Sequence, residues 1–164
     1  MTMQPIHNAY DVIIVGGRCA GAATAMLLAA LGVRVLVFDK SRLGTDTVST
    51  HALMRPAVLL LQRWGITDRL DAEGTPRIQK TAFTYADAHG GETVEVDIKA
   101  RNGVDALYAP RRTVLDRVLA EAARDAGADV RHGVRMMDLL RDDSGRVSGV
   151  VLRDGGGRVR EVQA

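Results

Sequence analysis

The chain has 164 residues, 46% of them apolar and 26% charged, which suits one globular domain or part of a larger protein and excludes disorder as the overall state. The net charge of +2, from 22 basic and 20 acidic groups, is too small and dispersed to argue for nucleic acid, and 4% aromatics leave few surfaces for stacking bases. A single cysteine, Cys19, excludes an internal disulfide framework and fits a reducing compartment.

The longest apolar run, 19–33, lies between Arg18 and Arg34 and is shorter than the roughly 20 residues that a bilayer core requires. The first ten residues include Gln4, His7 and Asn8 and lack the apolar stretch of a secretory signal. No membrane span is expected, and the cytoplasm is the expected location.

Residues 10–15 form a short run rich in β-branched side chains that meets Gly16 and Gly17, the pattern of a buried parallel strand. From 19 to 31 the composition turns to Ala, Leu and Met, which favour helix, and Gly32 stands where such a helix stops. A second strand is predicted over 33–38, ending at Asp39. The first forty residues thus spell strand, tight turn, helix and parallel strand. Residues 41–51 read as a polar ordered loop. A helix is expected over 57–64, with Pro56 in its first turn, Gly65 as its stop and Trp64 anchored in the core. A hairpin follows, pairing 78–85 with the alternating Val94, Val96 and Ile98 across a turn at His89-Gly90-Gly91. Pro110 opens another helix whose apolar face carries Leu115, Val118, Leu119, Ala122 and Ala126, with Asp116, Glu121, Arg124 and Asp125 on its other faces. Gly127 closes it, and Val130 begins a further strand. The tail alternates strands with turns at 142–145 and 154–157, a three-stranded meander.

The sharpest motif is Gly16-Gly17-Arg18-Cys19-Ala20-Gly21, placed after a strand and at the opening of a helix. On the G-x-G-x-x-G fingerprint, Gly16 makes the tight turn and Gly21 lets the helix pack close to the strand, as does the small Ala25 one turn later. The amino end of the helix presents unpaired amides and partial positive charge to a pyrophosphate. Asp39 stands where an acidic group accepts ribose hydroxyls. Arg18 takes the second glycine's place, and two readings of it stand open: a charge-assisted donor to a phosphate, or a residue with no cofactor role. The bland alternative for the whole motif is an ordinary strand–helix turn.

Both FAD and nicotinamide cofactors use such an opening. Asp11-Val12-Ile13-Ile14-Val15-Gly16, the glycine turn, Asp39-Lys40, Ser49-Thr50-His51 and Arg112-Thr113-Val114-Leu115-Asp116 together resemble the FAD-binding N-terminal part of the flavin-dependent aromatic hydroxylase and geranylgeranyl reductase group. The resemblance covers nearly the whole chain. It implies an α/β fold: a Rossmann-like FAD-binding βαβ unit with a parallel sheet, a β-hairpin insertion and a β-meander. It implies one FAD-binding domain over 1–164, with 76–109 beginning a substrate-side β insertion. It also implies FAD as cofactor, NAD(P)H as co-substrate and a small organic molecule as substrate of a monooxygenase or reductase. By the same resemblance, Arg112 touches FAD, the loop carrying Thr50 and His51 runs along the flavin, and backbone near Met136 flanks the adenine. The cofactor-binding candidates are then Gly16, Gly17, Arg18, Cys19, Ala20, Gly21, Asp39, Lys40, Thr50, His51, Arg112 and Met136.

Duller roles accompany several of these. Arg112 could be solvated or paired with Asp116 at helical spacing. His51 could simply hydrogen-bond within its loop, and Cys19 could fill a small slot rather than react. No residue is assigned as catalytic acid, base or metal ligand. Members of the group continue into a further strand where this sequence stops at Ala164, so the resemblance implies an N-terminal portion with an open sheet edge and self-association as its consequence. A non-catalytic nucleotide-binding or interaction module and an NAD(P)-dependent reductase are the rival readings.

Overall fold

The computed structural model of the chain describes residues 6–48, 52–86 and 90–164. Two compact units are present: one comprises the chain up to Thr47 together with Leu115–Ala164, the other Val48–Val114.

In the first unit, β1 (Val12–Val15) leads through the glycine turn into α1 (Cys19–Ala30), and the chain returns as β2 (Val35–Asp39). β1 and β2 pair in parallel, Val12 opposite Val35 and Val15 opposite Phe38. Gly32, with φ +83°, follows the end of α1 in the left-handed conformation that glycine adopts without strain. α4 (Arg112–Asp125) precedes β7 (Asp129–His132), which pairs in parallel with the other edge of β2, giving the order β1-β2-β7. The central position explains why Val35, Leu36, Val37 and Phe38 are all at most 1% exposed.

β8 (Arg135–Arg141), β9 (Val147–Arg153) and β10 (Val159–Gln163) form the antiparallel meander. Alternation along β2 turns Leu36 and Phe38 toward it, where they join Tyr10, Val134, Val150, Leu152 and Val162 in one core cluster. Val35 and Val37 are left on the face where α1 packs through Ala22, Ala25, Met26 and Ala29. The meander is tied to the parallel sheet by the chain just before β1: the Tyr10 amide donates to the Gln163 carbonyl at 3.0 Å, and the Gln163 amide donates to the Asn8 carbonyl at 3.0 Å. Burial, and then the carboxylate of Asp129 that accepts from its hydroxyl at 2.5 Å, push the Tyr10 phenol well above its ordinary pKa.

The second unit holds α2 (Arg55–Arg63), α3 (Thr67–Ala72), β3 (Arg77–Ile78), β4 (Lys80–Tyr85), β5 (Glu92–Asp97) and β6 (Leu107–Tyr108). Its interior is built from Val58, Leu61, Ile66, Leu70, Ala106 and Leu107. Three details differ from the sequence reading. Ile78 leaves the hairpin to pair with Leu107 in β6, so the hairpin proper is β4 with β5. α3 is an additional helix, one turn and a half long and too short to show a period. Trp64 caps the end of α2 and is only half-buried, while Leu61 and Ile66 on either side carry the packing. The predicted hairpin turn includes His89, which lies outside the described residues, as do Thr50 and His51. Among the described residues no helix is long and apolar enough to cross a membrane.

Gly149 in β9 shows how tightly the meander closes, since a Cβ there would lie 2.2 Å from the Val162 carbonyl oxygen. Backbone cannot yield as a flexible side chain does. Gly149→Ala is therefore expected to cost about 1–3 kcal/mol and to lower the melting temperature by roughly 3–10 °C, measured by circular dichroism.

Candidate functional site

Parallel strands point their carboxyl ends to one side of a sheet, and the loops there form its natural ligand crevice. At that end of β1, Gly16 takes φ +104°, a conformation open to glycine and strained for other residues. Its amide donates to the Phe38 carbonyl at 2.8 Å, extending the β1–β2 ladder by one bond before the chain turns away. The turn brings Gly21 against Gly16: a Cβ on residue 21 would lie 1.8 Å from the Gly16 carbonyl oxygen and 3.2 Å from Cγ2 of Ile14. This contact accounts for the third glycine of the motif.

Asp39 fastens the turn from the other side. Its carboxylate accepts from the Gly17 amide at 3.0 Å through Oδ2 and from the Ser41 amide at 2.8 Å through Oδ1. Burial works to raise the pKa of this group, but the amides of Ser41 and Gly17, the Ser41 hydroxyl and the nearby charge of Arg18 outweigh it and hold the carboxyl below its ordinary value. Asp39 is thus an ionised, largely buried acceptor at the tip of β2.

Arg18 is the N-cap residue of α1, in extended conformation, and no side chain caps the helix; its first turn contains no acidic residue. The guanidinium is instead drawn toward α4. Nη1 donates to Asp116 Oδ2 at 2.7 Å and to the Thr45 carbonyl at 3.4 Å, while Nη2 donates to Thr45 Oγ1 at 3.1 Å. The Cys19 thiol donates to the second oxygen of Asp116 at 3.0 Å. Asp116, 4% exposed, is thereby a buried carboxylate shared by two consecutive residues of the glycine turn.

The sequence pattern puts Asp116 off the apolar face of its helix; the structure buries it and brings Arg18 and Cys19 to its carboxylate. The apolar stripe of α4 is wider than the five residues of the sequence pattern: Ala120 and Ala123 are buried as well, and position 116 lies three, four and seven residues before the buried Leu119, Ala120 and Ala123. Thr45 and Ser41 join the site from the loop after β2. A short hydroxyl residue in a polar loop carries no pattern that marks it out.

An open cleft of about 480 Å³ runs across this end of the sheet, and Gly16, Arg18, Asp39, Lys40 and Met136 all line it, with Arg135 at the same rim. Five of the sequence-derived candidates therefore meet in one place. Gly17 is buried beneath them, Gly21 is half-buried in the packed start of α1, and Ala20 is exposed on its first turn. His132, the last residue of β7, lies alongside; its pKa is lowered first by burial and then by Arg124, so it is uncharged at neutral pH. Arg112 is the first residue of α4 and falls in the second unit.

An adenine dinucleotide fits these residues. The helix start is uncapped, the Gly16–Gly21 approach leaves the bare backbone cradle that a side chain would fill, and a buried acceptor stands at the neighbouring strand tip beside a cleft with a basic rim. Such a geometry binds rather than reacts, since it combines anion-attracting amides with one fixed acceptor.

Comparison with known proteins agrees. Residues 9–164 match the FAD binding domain family. Menaquinone reductase from Mycolicibacterium smegmatis is 34% identical over 145 residues, covering 88% of this chain and 34% of that protein. Digeranylgeranylglycerophospholipid reductase 2 from Methanothermobacter thermautotrophicus is 31% identical over 159 residues, covering 94% of this chain and 37% of that protein. Among solved structures, the myxobacterial chondrochloren halogenase, described as an FAD-dependent halogenase, shares the fold with a TM-score of 0.82 at 23% identity, over 96% of this chain and 36% of its own. The chain spans about a third of the length of these relatives. With nearly its whole length matched, this chain belongs to the FAD binding domain family.

Proposed function

We propose that the chain holds the adenosine diphosphate half of FAD in the cleft at the carboxyl ends of β1 and β2, as the FAD-binding part of an oxidoreductase. The observation that carries this reading is the joint geometry of Gly16, Gly21 and Asp39. One contact brings the start of α1 against the turn, and one carboxylate fixes the turn to the strand beside it. The backbone of Cys19, Ala20 and Gly21 supplies the amides for the diphosphate, while the Gly17 amide holds the turn to Asp39. The remaining acceptor capacity of Asp39 takes a ribose hydroxyl, and Lys40 adds positive charge at the rim. Met136 and its neighbouring backbone flank the adenine. Arg112, Thr50 and His51 are assigned to the flavin half by family resemblance.

FAD, when bound, supplies two-electron transfer or oxygen activation; the protein contributes position and electrostatics. The relatives named above include two reductases and a halogenase, so the electron donor, proposed as NAD(P)H, and the small organic substrate belong to the whole protein. Reduction is the favoured activity because two curated relatives above 30% identity are reductases by name.

The test is titration of the purified chain with FAD, followed by flavin fluorescence and the visible absorption spectrum. Saturable binding is expected for the wild type. Gly21→Ala should weaken it at least tenfold, because the new methyl group drives α1 off the turn. Equal retention of FAD by wild type and Gly21→Ala would remove the assignment of the diphosphate to this turn.

Asp39 gives a separate, pH-dependent outcome. Because its folded pKa lies below the unfolded one, its ionised form stabilises the fold above the unfolded value of about 3.9, and that contribution disappears as pH falls through the lower folded value. Wild type should therefore melt above Asp39→Asn at pH 7, and the gap should close below about pH 4. A gap that stays constant down to pH 2 would show that ionisation of Asp39 is irrelevant.

A further inference from the structure

Arg18 stands within reach of two carboxylates. It bonds Asp116 directly, its charge also acts on Asp39, and all three residues line a pocket of about 10 Å³ between them, space for no more than a single water. Arg18 and Asp39 also line the open cleft above. A guanidinium turned from Asp116 to Asp39 would bridge the mouth of that cleft, occupy the acceptor at the strand tip and fill the room that a second glycine normally leaves for the diphosphate.

We infer that Asp116 is a positioning residue for nucleotide binding, which keeps the cleft open by holding Arg18 back against α4 and Thr45. The inference rests on the assignment of the diphosphate and ribose to this cleft. Three features give Asp116 the advantage over Asp39. It offers Arg18 a 2.7 Å charge-assisted bond to a carboxylate that is itself buried, where attraction is less screened than at the surface. Thr45 supplies two further acceptors on the same side, its carbonyl and its hydroxyl oxygen. Asp39, by contrast, already accepts from two backbone amides, so its charge is partly satisfied. The Cys19 thiol donates to the other oxygen of Asp116 and fixes the carboxylate's rotation. The departure from the glycine fingerprint at 18 is thus paired with a compensating carboxylate 98 residues later.

The experiment is calorimetric titration of the 164-residue chain with ADP, the part of FAD that this cleft contacts. Asp116→Asn should bind ADP at least tenfold more weakly than wild type, and the double variant Asp116→Asn with Arg18→Gly should recover to within about threefold. Recovery of affinity with all three chains melting at similar temperatures separates positioning from a general loss of structure, since removal of the unpaired Arg18 charge could by itself restore stability. Melting temperatures of both variants accompany the titration. Should Asp116→Asn fail to fold, Thr45→Val on the exposed loop replaces it, with an expected loss of about threefold that Arg18→Gly again reverses. Wild-type affinity in the first variant, or a double variant as weak as the single one, overturns the positioning role. A wild-type chain that binds neither ADP nor FAD overturns the cofactor reading and this inference with it; a wild-type chain that binds both while Asp116→Asn is unaffected overturns this inference alone.

Discussion

The closeness of α1 to the end of β1 is the constraint on which the rest of the structure depends. With the Gly16 carbonyl 1.8 Å from where a side chain at 21 would begin, the helix has no latitude to slide or tilt away. That fixes its first amides over the end of the sheet. It also agrees with the small residues that follow on the same helix face, Ala22, Ala25 and Ala29, among which Met26 is the one larger buried side chain. The price is a thin layer of apolar contact along α1, offset by the thick cluster that Leu36 and Phe38 build on the opposite face. The sheet is anchored from the meander side so that its helix side can come close.

Charge is arranged around that contact in a consistent sense. Two carboxylates, Asp39 and Asp116, approach the amino end of α1, where they could compete with a phosphate for the same positive potential. Each is engaged elsewhere: Asp39 by the Gly17 and Ser41 amides, Asp116 by Arg18 and Cys19. The outward-facing balance at the cleft is left to Lys40 and Arg135, which are basic. The neutral state of His132 keeps a further cation from joining Arg18 beside Asp39 at neutral pH.

Much of this was legible in the sequence because the first forty residues carry several independent signals for one arrangement. β-branched residues precede the turn, glycines fall at the strained position and the close approach, alanines follow, and an aspartate ends the second strand. The motif asks for a turn glycine at 16 and a close approach at 21, and the structure shows both. What escaped has a common physical cause. Asp116 lies among apolar neighbours, and Arg18 and Cys19 reach it from 98 and 97 residues away in sequence, so no local pattern reveals those two contacts. The switch of Ile78 out of the hairpin is equally non-local, decided by Leu107 on the far side of that hairpin. α3 is too brief for periodicity to register. The hairpin's alternation was real, with Phe83 opposite Val94, yet Phe83 is 52% exposed, so an alternating pattern established pairing without establishing burial.

The bonds between Tyr10, Asn8 and Gln163 have a consequence for how the molecule is made. The segment entering the first strand is partnered by the last strand, more than 150 residues downstream, and the second unit is synthesised in between. During vectorial synthesis the hydrophobic faces of Leu36 and Phe38 must wait for β9 and β10 before they are covered, whereas Val48–Val114 can close on itself earlier. Closure of this core cluster is therefore a late event, set by the arrival of β9 and β10 rather than by the glycine turn.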